Sequence, residues 1–84
     1  MVIDFDDAPT VFRALLTARR SGTLGTLRRT LTSIAAQHPF ARVVLAAEGA
    51  RLHVVVFERR DGRWWPLYAH EHDLPTSAAP RQSA

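Results

Sequence analysis

Three histidines and a tyrosine in the second half of this chain are the residues best able to do chemistry. His70-x-His72 puts two imidazoles on one side of an extended strand, because alternate residues share a face. His53 sits in the preceding apolar run. If that run pairs with the strand, three ring nitrogens can converge on an ion such as zinc, with Asp73 available as a fourth ligand. The same imidazoles, with Tyr68 and nearby arginines, could move a proton and stabilise a phosphorane-like charge. The HxH pattern is common, however, and zinc also needs groups that orient its ligands. The ordinary reading is a stack of partly exposed histidines near a sheet edge, so no metal and no cofactor is expected. No nucleophile elbow, phosphate-binding glycine loop or helical metalloprotease motif is present, and no catalytic residue is assigned.

The element that must position these groups is a hairpin over residues 51–72, RLHVVVFERRDGRWWPLYAHEH. Asp61-Gly62 stands between a β-branched run and an aromatic run, and Gly accepts the positive φ that a type I′ turn demands. A two-residue turn there pairs Arg59 with Trp64, Phe57 with Pro66, Val55 with Tyr68, His53 with His70 and Arg51 with His72, all on one face. The opposite face carries Leu52, Val54, Val56, Leu67 and Ala69, with Glu58, Trp65 and Glu71 at its ends. One face is apolar core; the other is aromatic, basic and rich in histidine.

Ahead of the hairpin, residues 1–5 (MVIDF) suit a short strand or an extended arm. Asp7 is placed to cap a first helix over Ala8–Arg20, with Pro9 in its first turn and Gly22 after its end. Its buried side is expected to hold Val11, Phe12, Leu15 and Leu16. Thr23 can open a second helix with a stripe of Leu24, Leu27, Leu31 and Ile34, stopped by His38-Pro39. Residues 40–47 (FARVVLAA) read as a strand and Glu48-Gly49 as a turn. A tight turn pairs Leu45 with Leu52, Val43 with Val54 and Ala41 with Val56, so both hairpins agree on the core face. The fold predicted is α+β in two layers: two N-terminal helices on one face of a three- or four-stranded antiparallel sheet, in the order (β)ααβββ. One domain spans residues 1–75, and 76–84, small, polar and proline-containing, is expected to be a disordered tail.

The chain has 84 residues and a net charge of +3. That length supports one core and little else. The positive charge is all arginine, as lysine and asparagine are both absent, which points to coding bias more than to selection for phosphate contact. With no cysteine, no disulfide scaffold or thiolate metal site is available, and a reducing cytoplasm is the ordinary expectation. Neither a signal peptide nor an apolar run long enough to span a bilayer is read, so a soluble protein without membrane association is expected.

With helices on one face only, the second face leaves Phe40, Arg42, Arg51, His53, Phe57, Arg59, Trp64, Tyr68 and His70 as the candidate binding surface. Such a patch is too apolar to be simply solvated. Another copy of the chain is the first expected occupant, since symmetric dimers are the commonest oligomers, and a different protein the second. Nucleic acid is a third, through base stacking on aromatics and arginine contacts to phosphate.

Size, basic charge and the order strand, two helices, three antiparallel strands also resemble the small RelE and ParE type toxins over residues 1–72. The resemblance implies a ribosome-dependent RNase or a gyrase poison, with basic and acid/base roles falling on Arg51, His53, Tyr68 and His70. The chain departs from that family in having no lysine and in a proline-broken tail after the last strand. The residues themselves favour a small non-enzymatic interaction protein, an inhibitor, adaptor or accessory subunit, and the toxin or nucleic-acid module is the alternative.

Overall fold

The structure is a computed structural model and describes residues 1–74, so the tail expected over 76–84 lies outside the described residues. Six elements follow one another: β1 (Val2–Phe5), α1 (Ala8–Ser21), α2 (Leu24–Gln37), β2 (Arg42–Glu48), β3 (Arg51–Arg60) and β4 (Arg63–Asp73). They form one sheet in the order β1-β2-β3-β4. The architecture is the two-layer α+β arrangement expected, and β1 completes the sheet as a fourth strand. It runs parallel to β2, with Ile3 beside Val43 and Phe5 beside Leu45, while the other pairings are antiparallel. A parallel neighbour requires a crossover, and α1 and α2 supply it.

Local chemistry explains where the helices begin and end. Asp7 adopts a left-handed conformation at φ 54° ahead of α1. Its carboxylate does not cap a backbone N–H; it accepts the Thr10 hydroxyl at 2.6 Å. Gly22, at φ 83°, closes α1 with its N–H donated to the Arg19 carbonyl. α2 ends at His38, whose N–H reaches the Ile34 carbonyl at 2.7 Å just before Pro39.

The core lies between the helices and one face of the sheet. Val11, Ala18, Leu27 and Ile34 meet Val43, Leu45, Leu52, Val54 and Val56, all buried, and Leu74 closes one end of the cluster. The buried side of α1 holds two of the four residues expected, Val11 and Leu15. Val11, Ala14, Leu15 and Ala18 form it, at helical spacings of three and four, while Phe12 and Leu16 are each 51% exposed. Small alanines let the helix approach the sheet closely, and this rotates Phe12 outward, where it rests on Phe5 with ring centroids 5.3 Å apart.

Two registers also differ from expectation, with opposite consequences. Between β2 and β3, Glu48 pairs with Arg51, so Leu45 faces Val54 and Val43 faces Val56. This is a shift of two residues from the expected Leu45–Leu52, Val43–Val54 and Ala41–Val56 pairs. Because side chains alternate with period two, the shift leaves every residue on its predicted face.

Between β3 and β4 the Asp61-Gly62 turn forms as expected, with φ of 51° and 77°, and Arg59–Trp64 and Phe57–Pro66 pair as predicted. An irregularity then accommodates Leu67 as an extra residue, and the register moves by one. Val56 now faces Tyr68, Val54 faces His70, His53 faces Glu71, Leu52 faces His72 and Arg51 faces Asp73. The expected Val55–Tyr68, His53–His70 and Arg51–His72 pairs do not form. A single inserted residue transfers the rest of the strand to the opposite face.

Candidate functional site

The face of the sheet away from the helices is built by alternate residues of all four strands. β2 contributes Arg42, Val44, Ala46 and Glu48; β3 contributes Arg51, His53, Val55, Phe57 and Arg59. β4 adds Trp64 and Pro66 before the bulge, and Ala69, Glu71 and Asp73 after it. Among the described residues no helix covers this face: α1 and α2 bury their apolar stripes on the other side. Val44 and Val55 at its centre, and Phe57 and Trp64 toward the β3–β4 turn, are half-buried by their own neighbours.

The two ends of the face have opposite character. At the hairpin end, the Arg42 guanidinium lies 4.8 Å from the Trp64 ring centroid and that of Arg59 lies 5.8 Å from it. Arg42 Nε also forms an ion pair with Asp4 Oδ2 at 2.9 Å. At the far end, Arg51 Nε donates to Asp73 Oδ1 at 3.0 Å and Arg51 Nη1 lies 3.0 Å from Glu71 Oε1. The hydrogen bond and charge of Asp73, then the charge of Glu71, raise the Arg51 pKa above its already high ordinary value. His53 stands between Glu48, at 3.7 Å, and Glu71, at 3.9 Å. The hairpin end therefore carries two guanidiniums against one carboxylate, and the far end three carboxylates against one guanidinium.

Of the nine residues expected on this face, Arg42, Arg51, His53, Phe57, Arg59 and Trp64 are there. Tyr68 and His70 are not. The bulge puts both on the helix side, where the Tyr68 ring lies 5.9 Å from that of His38, and His70 shares a shallow hollow with Thr26, Arg29, Thr30 and Ser33 of α2. Phe40 precedes β2 in a turn and is 90% exposed, outside the sheet altogether. Of the acidic residues that give the far end its charge, Glu71 was missed because the straight register puts it on the core face, Glu48 because it reads as a turn residue, and Asp73 because it reads only as a fourth metal ligand. A signal was available: proline inside a strand is confined to edges and bulges, and Pro66 sits beside the extra residue.

The same bulge separates the groups that could have done chemistry. His53 is on the open face and His70 and His72 are on the helix face, so the three imidazoles do not converge. Among the described residues, no group of three or more histidine, cysteine, aspartate or glutamate side chains is arranged to hold a metal ion. Arg51 and His53 are likewise on the opposite side of the sheet from Tyr68 and His70, so the four positions implied by the toxin resemblance do not share a site. His72 is half-buried beside Leu52; burial, and then the charge of His70, lower its pKa from the ordinary histidine value. A hollow of about 750 Å³ lies elsewhere, between Arg13, Thr17 and Arg20 of α1 and the β2–β3 turn.

Comparison with protein-family models, curated proteins and solved structures gave no match to this chain. Among the described residues, no helix is long and apolar enough to cross a membrane.

Proposed function

We propose that this chain acts by binding a protein partner through the open face of its sheet, as an inhibitor, adaptor or accessory subunit, and not by chemistry. The observation that carries the reading is the asymmetry of the sheet. One face is closed by two helices, while on the other, among the described residues, no element lies over Val44, Val55, Phe57 and Trp64, which are flanked by arginines. Aromatic and arginine side chains grouped around an apolar centre are the types that dominate binding energy at protein interfaces. Acid/base catalysis would need its groups within hydrogen-bond reach of one substrate atom, and the histidines here are divided between two faces.

The test is photo-crosslinking. A benzoylphenylalanine at position 55, at the centre of the open face, is expected to give a discrete protein adduct. The same probe at position 32, on the exposed side of α2, is expected to give none. Adducts from both positions or from neither would overturn the reading. Fluorescence anisotropy with labelled single-stranded RNA and duplex DNA gives the other arm, since tight binding that falls steeply with salt would make nucleic acid the partner.

A further inference from the structure

We infer that the partner on this face is a second copy of the same chain, packed sheet against sheet about a two-fold axis that lies in the interface and runs across the strands. The inference rests on the binding role of the open face proposed above and adds the identity and orientation of its occupant. The argument is one of charge. Among the described residues, Arg42 and Arg59 face outward at the hairpin end with Asp4 against them, and Glu48, Glu71 and Asp73 crowd the other end around Arg51.

A two-fold axis across the strands turns each sheet end for end, so the cationic end of one copy meets the acidic end of the other, twice. An axis along the strands would set like ends together and is disfavoured by the same charges. The apolar centre falls on itself in either case. Only the first arrangement makes the whole face self-complementary, as an isologous contact requires.

The dimensions are suitable. From the row of Arg51 to the row of Arg59, β3 and β4 each run roughly 26 Å, while β2 covers roughly 23 Å and β1 roughly 13 Å, so at ordinary strand rise and spacing the projected footprint is on the order of 400 Å². Side-chain relief brings the accessible area toward the ~600–1,000 Å² that each partner buries in a standard interface. Aligned sheet packing accommodates this geometry with strands crossing at about 30°.

Sedimentation velocity on the full chain over a concentration series, at low salt, tests the proposal. The wild type is expected to dimerise, and Phe57→Glu to be monomeric with an unchanged circular dichroism spectrum. Arg59→Glu and Glu48→Arg each place like charges at both contacts and are expected to weaken association about tenfold. An equimolar mixture of those two variants should restore it to within about twofold, because every contact in the mixed dimer is again of opposite sign. Both charge positions are on the surface, so this arm stands even if Phe57→Glu fails to fold. A mixture no tighter than its components overturns the end-for-end arrangement. A monomeric wild type that still gives the position-55 adduct with another protein overturns the second copy and leaves the binding role standing. A dimer that survives Phe57→Glu overturns the sheet-against-sheet contact, and the position-55 adduct then decides the binding role.

Discussion

The guanidinium of Arg42 on β2 lies over the indole of Trp64 on β4, 4.8 Å from its centroid, reaching across the intervening strand at Phe57. This contact ties three strands together on the open face, while Asp4 anchors the same arginine from β1. A cation over an aromatic face at a partly exposed site contributes about 0.5–1 kcal/mol. A double-mutant cycle of Arg42→Gln and Trp64→Leu, followed by urea unfolding, is expected to give a coupling energy of that size. Additive losses would mean that the two side chains act independently.

Leucines 16 and 27 offer the same chemistry at two depths. Leu27 is 2% exposed within the core and Leu16 is 51% exposed on α1. Leu27→Ala is expected to cost about 2–5 kcal/mol through lost burial and the cavity left behind. Leu16→Ala should cost well under about 1.5 kcal/mol, since a half-exposed side chain leaves no cavity. Unfolding midpoints in urea separate the two; equal losses would place Leu16 in the core.

The β-bulge can be tested by cross-linking. Cysteines replacing His53 and Glu71 occupy paired positions on one face and are expected to oxidise to a disulfide. Cysteines replacing His53 and His70 point to opposite faces and should remain reduced. Mass spectrometry under mild oxidation reads the result. Closure of the second pair would mean that β4 follows the straight register of its turn.

His72 sets a pH dependence. Burial, and then His70, lower its pKa below the ordinary histidine value of 6.5, so the unfolded chain takes up a proton more readily than the folded one. Its contribution to stability is therefore complete above 6.5 and is lost as pH falls through the folded value. The urea midpoint of the wild type is expected to drop between about pH 7.5 and 5, and His72→Gln should flatten that slope. An unchanged slope in the variant would show that other groups govern the acid limb.

Much of this architecture is written locally. Asp61-Gly62 specifies a type I′ turn because both positions take positive φ, and the turn pins Arg59 to Trp64 next to it. Gly22, His38 and Pro39 end the helices for reasons that act within a few residues. Alternation in VVL and LHVVVF marks Val43, Leu45, Leu52, Val54 and Val56 as core, and these are buried. Even the two-residue shift between β2 and β3 left that assignment intact, since faces repeat every second residue.

What only the tertiary structure decided is whatever depends on a one-residue step or on the fit between layers. The extra residue at Leu67 is decided by how β4 settles against β3 and under α2. It moved Tyr68, His70 and His72 to the helix side and brought Glu71 and Asp73 to the open face. The rotation of α1, which buried Ala18 and exposed Phe12, came from the close approach that small side chains allow against the sheet. Sequence periodicity reports which residues share a face; the phase of that periodicity past an irregularity is set by packing. For this protein that phase decides whether three histidines meet, and it gives the open face its two oppositely charged ends.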